Sequence, residues 1–307
     1  MLDKLDALQR RYKVTAFLYG VVKKFGDDRG GNLAALVTYY GFLSIFPLLL
    51  AAFTVVAYAL SGDQETIRTI ERHVGSYPII GPAASELEGE HLKGSAIAII
   101  AGVIGLVWGA MGLAQVAQHS MNRAWNVPER DQARFLSRLL RGLAWYVVFG
   151  VGMVATTFVA SLGAVFKWSG GPTLSALLAL LLNVGLFVLS FRILSPPVAS
   201  VRDLVPGAAF GGVMWTFLTG IGIGLAHKLA HSNSLYGSFA PVLALLAFLY
   251  LTARLTLYGI EANVVKAQHL WPRSLTKRDL TPADRAQLEG LAKREERVDE
   301  QSVEVEF

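Results

Sequence analysis

Six apolar runs of about 20 residues or more, almost free of charge, constrain this chain more than anything else in it. A helix of that length spans a hydrocarbon core about 30 Å thick, and a soluble protein has no comparable place to hide so much apolar surface. Composition agrees. Hydrophobic residues make up 53% of the 307 and charged residues only 17%, against about 25% in ordinary soluble domains. Mean hydropathy is +0.45. The fold class we expect is all-α: a polytopic membrane protein with six transmembrane helices, an N-terminal amphipathic segment and a cytoplasmic tail. The spans fall at about 33–60, 95–117, 142–166, 173–194, 205–229 and 240–265, within a membrane domain 33–265.

The last span, with its approach from Tyr236, carries the most chemistry. It holds Arg254 in its interior and Glu261 near its end, seven residues apart and therefore on one helix face, roughly 10 Å apart along the axis. Tyr250 and Tyr258 stand four residues before and after Arg254 and extend that face. Charge at membrane depth costs several kcal/mol unless it is paired, hydrated or turned into protein. Arg254 therefore either snorkels to the inner interface or locks a helix pair, or it lines a path for an anionic amphiphile.

Residues 1–32 form an interfacial segment. Leu18, Val21, Val22 and Phe25 recur at helical spacing with Lys23 and Lys24 opposite, which suits a helix in the inner headgroup layer or a partner-facing helix in the cytoplasm. Asp27 to Gly31 should break it. In the first span Pro47 leaves the Leu43 carbonyl without its donor and should kink the helix. Ser44 can bond back to the Tyr40 carbonyl, so Tyr40 and Ser44 form a candidate polar seam, or else a tolerated packing feature. The loop 61–94 carries six acidic residues and reads as an outer hairpin with a short amphipathic helix.

Gly102, Gly105, Gly109 and Gly112 make a smooth glycine stripe in the second span, a close-packing surface. Asn183, alone in the fourth span, suits an interhelical hydrogen bond. Pro206 suits the first turn of the fifth span, and Gly220 with Gly224 makes a GxxxG pair. His227 and His231 have metal-ligand spacing without a nearby carboxylate, so no metal site is expected, nor any cofactor. In the tail, 266–307, Thr281-Pro-Ala-Asp reads as a capped helix start, and the acidic end as disordered.

Of the 28 Lys and Arg residues, 22 fall on the side of the two termini and 5 on the other, with Arg254 between. The positive-inside rule places both termini in the cytoplasm. It also explains the basic balance, net charge +5, without nucleic acid. The absence of cysteine removes disulfides and thiolate chemistry. No apolar signal core or small-residue cleavage site stands at the N-terminus, so no secretory leader is expected.

The string Leu33-Ala-Ala-Leu-Val-Thr-Tyr-Tyr-Gly-Phe-Leu-Ser-Ile-Phe-Pro47 resembles the tyrosine–serine–proline signature of the YihY/BrkB family of bacterial inner-membrane proteins. So do Asn122-Arg-Ala-Trp125-Asn-Val, Val205-Pro206-Gly-Ala, Tyr236-Gly237-Ser and Gly259-Ile-Glu-Ala-Asn263, over roughly 30–266. The resemblance implies a six-span protein of envelope integrity. That family was once labelled ribonuclease BN, and members have been proposed to act in serum resistance and lipid export. It transfers no catalytic residues, and Arg254 is not part of its signature.

The ribonuclease label can be weighed on chemistry. Metal-dependent phosphodiester hydrolysis needs clustered His, Asp and Glu, and the six histidines here are scattered. No GxxxxGK[ST] phosphate loop supports ATP-driven transport. We therefore expect no enzyme, but a protein that transports or handles a lipid or other anionic amphiphile. Its partners are membrane lipids, with envelope proteins or a second copy possible and no nucleic acid. The alternative is a scaffold whose loop 61–94 and tail recruit other envelope proteins.

Overall fold

A computed structural model describes residues 2–59, 111–165, 171–230, 239–276 and 279–307. All regular structure among these is helical. In chain order the helices are α1 (Leu2–Arg11), α2 (Lys13–Asp27), α3 (Gly30–Ala59), α4 (111–124), α5 (Phe135–Val165), α6 (Gly171–Leu194), α7 (Val201–Ala230), α8 (Phe239–Ala267) and α9 (Pro282–Lys293). A 3-10 turn at Glu129–Asp131 joins α4 to α5.

Among the described residues four helical stretches are long and apolar enough to cross a membrane: Phe135–Ala160, Thr173–Leu194, Val201–Ile221 and Val242–Ala267. The expected first span coincides with α3, helical throughout its 30 residues, Pro47 included. Most of the expected second span, with Gly102, Gly105 and Gly109, lies outside the described residues, as do the loop 61–94, Tyr236 and Gly237.

The chain divides into two compact units. One comprises Met1–Leu36, Ala114–Phe217 and Thr252–Phe307, the other Val37–Leu113 and Leu218–Leu251. In the second unit, Gly112 lies against the ring of Tyr40, where a Cβ would stand 2.3 Å from Cδ1. Tyr40 also meets Tyr39 edge to face at 5.2 Å. Ser44 donates to the Gly41 carbonyl at 2.7 Å, one residue later than the Tyr40 carbonyl expected from sequence.

The first unit is built on close helix crossings. Asn183 on α6 donates to Thr216 on α7 at 3.0 Å. The tightest approach joins two motifs distant in sequence. A Cβ on Gly207 would fall 1.9 Å from the Gly259 carbonyl oxygen, so only glycine fits where α7 crosses α8. Asn263 seals that crossing. Its Oδ1 accepts from the Gly207 N–H at 2.6 Å, and its Nδ2 donates to the Leu204 carbonyl at 3.1 Å.

One sequence expectation about α7, the place where the helix starts, is corrected here. The helix begins at Val201, behind a Ser200–Asp203 box in which the Ser200 hydroxyl donates to the Asp203 carboxylate. Pro206 is thus inside the helix rather than in its first turn. Among the described residues, Gly207, Gly211 and Gly212 lie against neighbours, while no described atom lies within 4 Å of a Cβ at Gly220. Gly224 lies on the same helix, toward its end.

The stretch read as a partly disordered tail carries α9. Thr281 caps it, accepting from the Asp284 N–H while the Asp284 carboxylate accepts from the Thr281 N–H, with proline in the first turn. Beyond α9 the chain pairs with the 3-10 turn, where the Glu129 and Arg130 N–H groups donate to the carbonyls of Arg294 and Glu296.

Candidate functional site

The functional geometry of the first unit gathers on the last four turns of α8. Helix α2 buries Ala16, Gly20, Val21, Lys24 and Phe25. The expected single apolar face is split, with Val21 and Phe25 packed inward beside Lys24, which was expected opposite them. Leu18 and Val22 are instead 56% and 54% exposed, and Lys24 is fully buried.

Three acceptors make that burial tolerable. The Lys24 ammonium donates to Asp28 one turn on, and to the Ala124 carbonyl at 2.7 Å, and lies 3.1 Å from the Glu261 carboxylate. Asp28 also accepts from Arg294 at 2.7 Å. Two cations and two carboxylates, all sealed from solvent, thus balance one another. Taking ions out of water costs several kcal/mol each, so such a cluster survives only when every member is matched.

The C-terminus of α4 supplies the rest. Asn126 adopts a left-handed φ of 51°, Val127 N–H bonds back to the Asn122 carbonyl and Asn126 N–H to that of Arg123. This is a Schellman ending with asparagine in the glycine position. It turns the carbonyls of Arg123 and Ala124 outward, where Arg294 and Lys24 respectively take them. Cations favour that end of a helix dipole. Trp125 is buried beside them, and Asn126 donates to Gln287 of α9 at 3.1 Å.

A second hub lies at Asp284, in the tail. Its carboxylate accepts from Arg273 at 2.6 Å, Lys23 at 2.8 Å, Ser274 N–H at 2.9 Å and the Thr281 hydroxyl at 2.8 Å. Burial pushes the Asp284 carboxyl upward, but these donors outweigh it and hold the group well below the usual carboxylate range. Arg273 reaches onward to Asp27 at 2.8 Å.

Arg254 faces a pair of aromatic rings. It is exposed on α8, two turns before Glu261, and its guanidinium lies 5.7 Å from the Phe25 ring centre and 5.9 Å from that of Tyr258. Those rings stack on each other, centres 4.1 Å apart and planes at 21°. Tyr250, one turn earlier, is half-buried. Glu261, expected to share a polar face with Arg254, has its carboxylate engaged by Lys24 instead.

Lys24, Asp28 and Arg294 escaped the sequence reading. The oppositely charged pair Lys24–Asp28 at four-residue spacing was the available signal, but nothing local marks it as buried. Among the described residues, no group of three His, Asp or Glu side chains is placed to hold a metal ion.

Residues 21–282 match the family described as Virulence factor BrkB. A Bacillus subtilis protein named "Putative ribonuclease-like protein YfkH" is 23% identical over 270 residues, covering 81% of this chain and 94% of that protein. A UPF0761 membrane protein of Pseudomonas aeruginosa is 26% identical over 269 residues, again 81% of this chain. This chain spans 62% of the length of that relative. A UPF0761 membrane protein of Alcanivorax borkumensis is 23% identical over 279 residues, covering 85% of this chain and 64% of that protein. No solved structure matches the chain. With the family match running from α2 to the start of α9, and taking in Lys24, Glu261 and the Gly207–Gly259 crossing, the chain belongs to the BrkB family of membrane proteins.

Proposed function

We infer that this protein works in the bacterial inner membrane, with six spans and both termini cytoplasmic, and supports envelope integrity by handling a lipid or other anionic amphiphile. The observation that carries the reading is Arg254, exposed inside an apolar span and set over the Phe25–Tyr258 stack. A cation there is expensive in hydrocarbon. A phosphate or carboxylate offers its planar fork two acceptors, and the Phe25 and Tyr258 rings beside it favour a guanidinium over an ammonium. Tyr258 flanks the same place. Glu261 serves to anchor α2 through Lys24, and catalysis forms no part of the proposal.

A second reading, a scaffold that recruits envelope proteins, draws on the tail folded around Asp284, which presents an ordered surface. Complementation separates the two. A strain lacking the gene, scored for sensitivity to detergent and serum, should be rescued by the wild type and not by Arg254→Leu at matched membrane levels. Full rescue by Arg254→Leu would leave the scaffold.

A further inference from the structure

The outer face of α2 presents an unusual pairing of features. Val14, Leu18 and Val22 stand 70%, 56% and 54% exposed, at successive four-residue steps, and so form one apolar stripe on a helix that buries a lysine on its opposite side. Arg11, Tyr12 and Lys13 are exposed at one end of the stripe, and Arg29 at the other. Only Asp28 and Arg29 separate α2 from α3, the helix that coincides with the expected first span. The inner side is fixed to α8 by Lys24–Glu261 and by Phe25–Tyr258, and Gly20 lies against Leu270 and Trp271.

We propose that α2 lies in the headgroup layer of the bilayer, with Val14, Leu18 and Val22 immersed among acyl chains and Arg11, Lys13 and Arg29 on anionic phosphates. An apolar stripe bounded by cations and an interfacial aromatic is the surface that an anionic lipid leaflet complements. Partners in that leaflet supply both chemistries at once. Lys24 cannot contribute to this attraction, since it is spent on Asp28, Glu261 and the Ala124 carbonyl. The amphipathic helix is therefore not a loose anchor but a rigid part of the membrane domain, seated at a set depth.

The chain has no cysteine, so single cysteines can be labelled without background. Spin labels at Val14→Cys, Leu18→Cys and Val22→Cys would be read in the full chain, reconstituted in phosphatidylethanolamine–phosphatidylglycerol vesicles. Oxygen and a water-soluble nickel chelate serve as competing relaxers. Phe158→Cys, 63% exposed on α5, and Arg297→Cys in the tail provide the lipid and water references. All three α2 labels should resemble Phe158→Cys, favouring oxygen over nickel roughly ten-fold more than Arg297→Cys does. Replacing Arg11, Lys13 and Arg29 by glutamine should raise nickel access in these vesicles and change little in pure phosphatidylcholine. Labels as open to nickel as Arg297→Cys would overturn the proposal. So would labels closed to both relaxers, which would mean a protein partner or a second copy on that face. Arg254→Leu should leave the depth of α2 unchanged, so this result stands or falls apart from the anion reading of Arg254.

Discussion

Lys24 and Glu261 meet with the ammonium 3.1 Å from the carboxylate and neither side chain more than 2% exposed. Removing one member of a buried pair leaves the other uncompensated, at a cost of about 3–5 kcal/mol. Lys24→Met should therefore lower the thermal midpoint of the detergent-solubilised protein sharply. Lys24→Met with Glu261→Gln should recover part of that loss, because Asp28 keeps Arg294. A double variant no better than the single one would mean that the pair is not the unit of stability.

The α7–α8 crossing makes a sharper structural prediction. At Gly207 a methyl group would meet the backbone carbonyl of Gly259, whereas at Gly220 it meets open space among the described atoms. Gly207→Ala should abolish folded protein, as judged by gel filtration of a fluorescent fusion, and Gly220→Ala should be silent. Asn263→Ala should fall between them. It strands the Gly207 N–H and frees the Leu204 carbonyl, costing on the order of 1–3 kcal/mol for each group left unsatisfied.

Acid should undock the tail. A carboxyl held below its ordinary value by folding stabilises the fold above its unfolded value, and that contribution fades as pH falls toward the folded one. Asp284 is such a group. Limited proteolysis of 266–307 should be flat from neutral pH down to about 5 and rise below about 4. Asp284→Asn should bring fast cleavage to neutral pH, by roughly ten-fold or more for each 1.4 kcal/mol lost. Unchanged cleavage in that variant would show that Arg273 and Lys23 hold the tail without it.

The proposed topology, six spans with both termini cytoplasmic, rests on the charge asymmetry. Single cysteines at Gly26, Asp131 and Arg297 should be protected from a membrane-impermeant maleimide in whole cells, and Ser85→Cys should react. Reaction at Asp131→Cys would overturn the six-span count.

The four long apolar helices among the described residues were legible because hydrocarbon imposes a composition that needs no tertiary information. So was the start of α9, since Thr281, Pro282 and Asp284 act on one another within a single turn. Lys24 was not legible. A lysine on an amphipathic helix belongs outside by every local rule, and only acceptors from α4 and α8 reverse that. For the same reason nothing local showed that charges of the tail find Lys23, Asp27 and Asp28 far upstream. Pro206 misled because the Ser200–Asp203 box, polar and brief, starts the helix before the apolar run does.

The central claim rests on Arg254, and lipid binding tests it most directly. Snorkelling alone would be served as well by lysine, but a planar fork braced by two rings would not. Native mass spectrometry of the purified protein, titrated with phosphatidylglycerol and with phosphatidylcholine, gives the measurement. The account predicts selective retention of the anionic lipid by the wild type, roughly ten-fold weaker in Arg254→Lys and absent in Arg254→Leu, with all three equally folded. Equal retention of phosphatidylglycerol by the three proteins would contradict it.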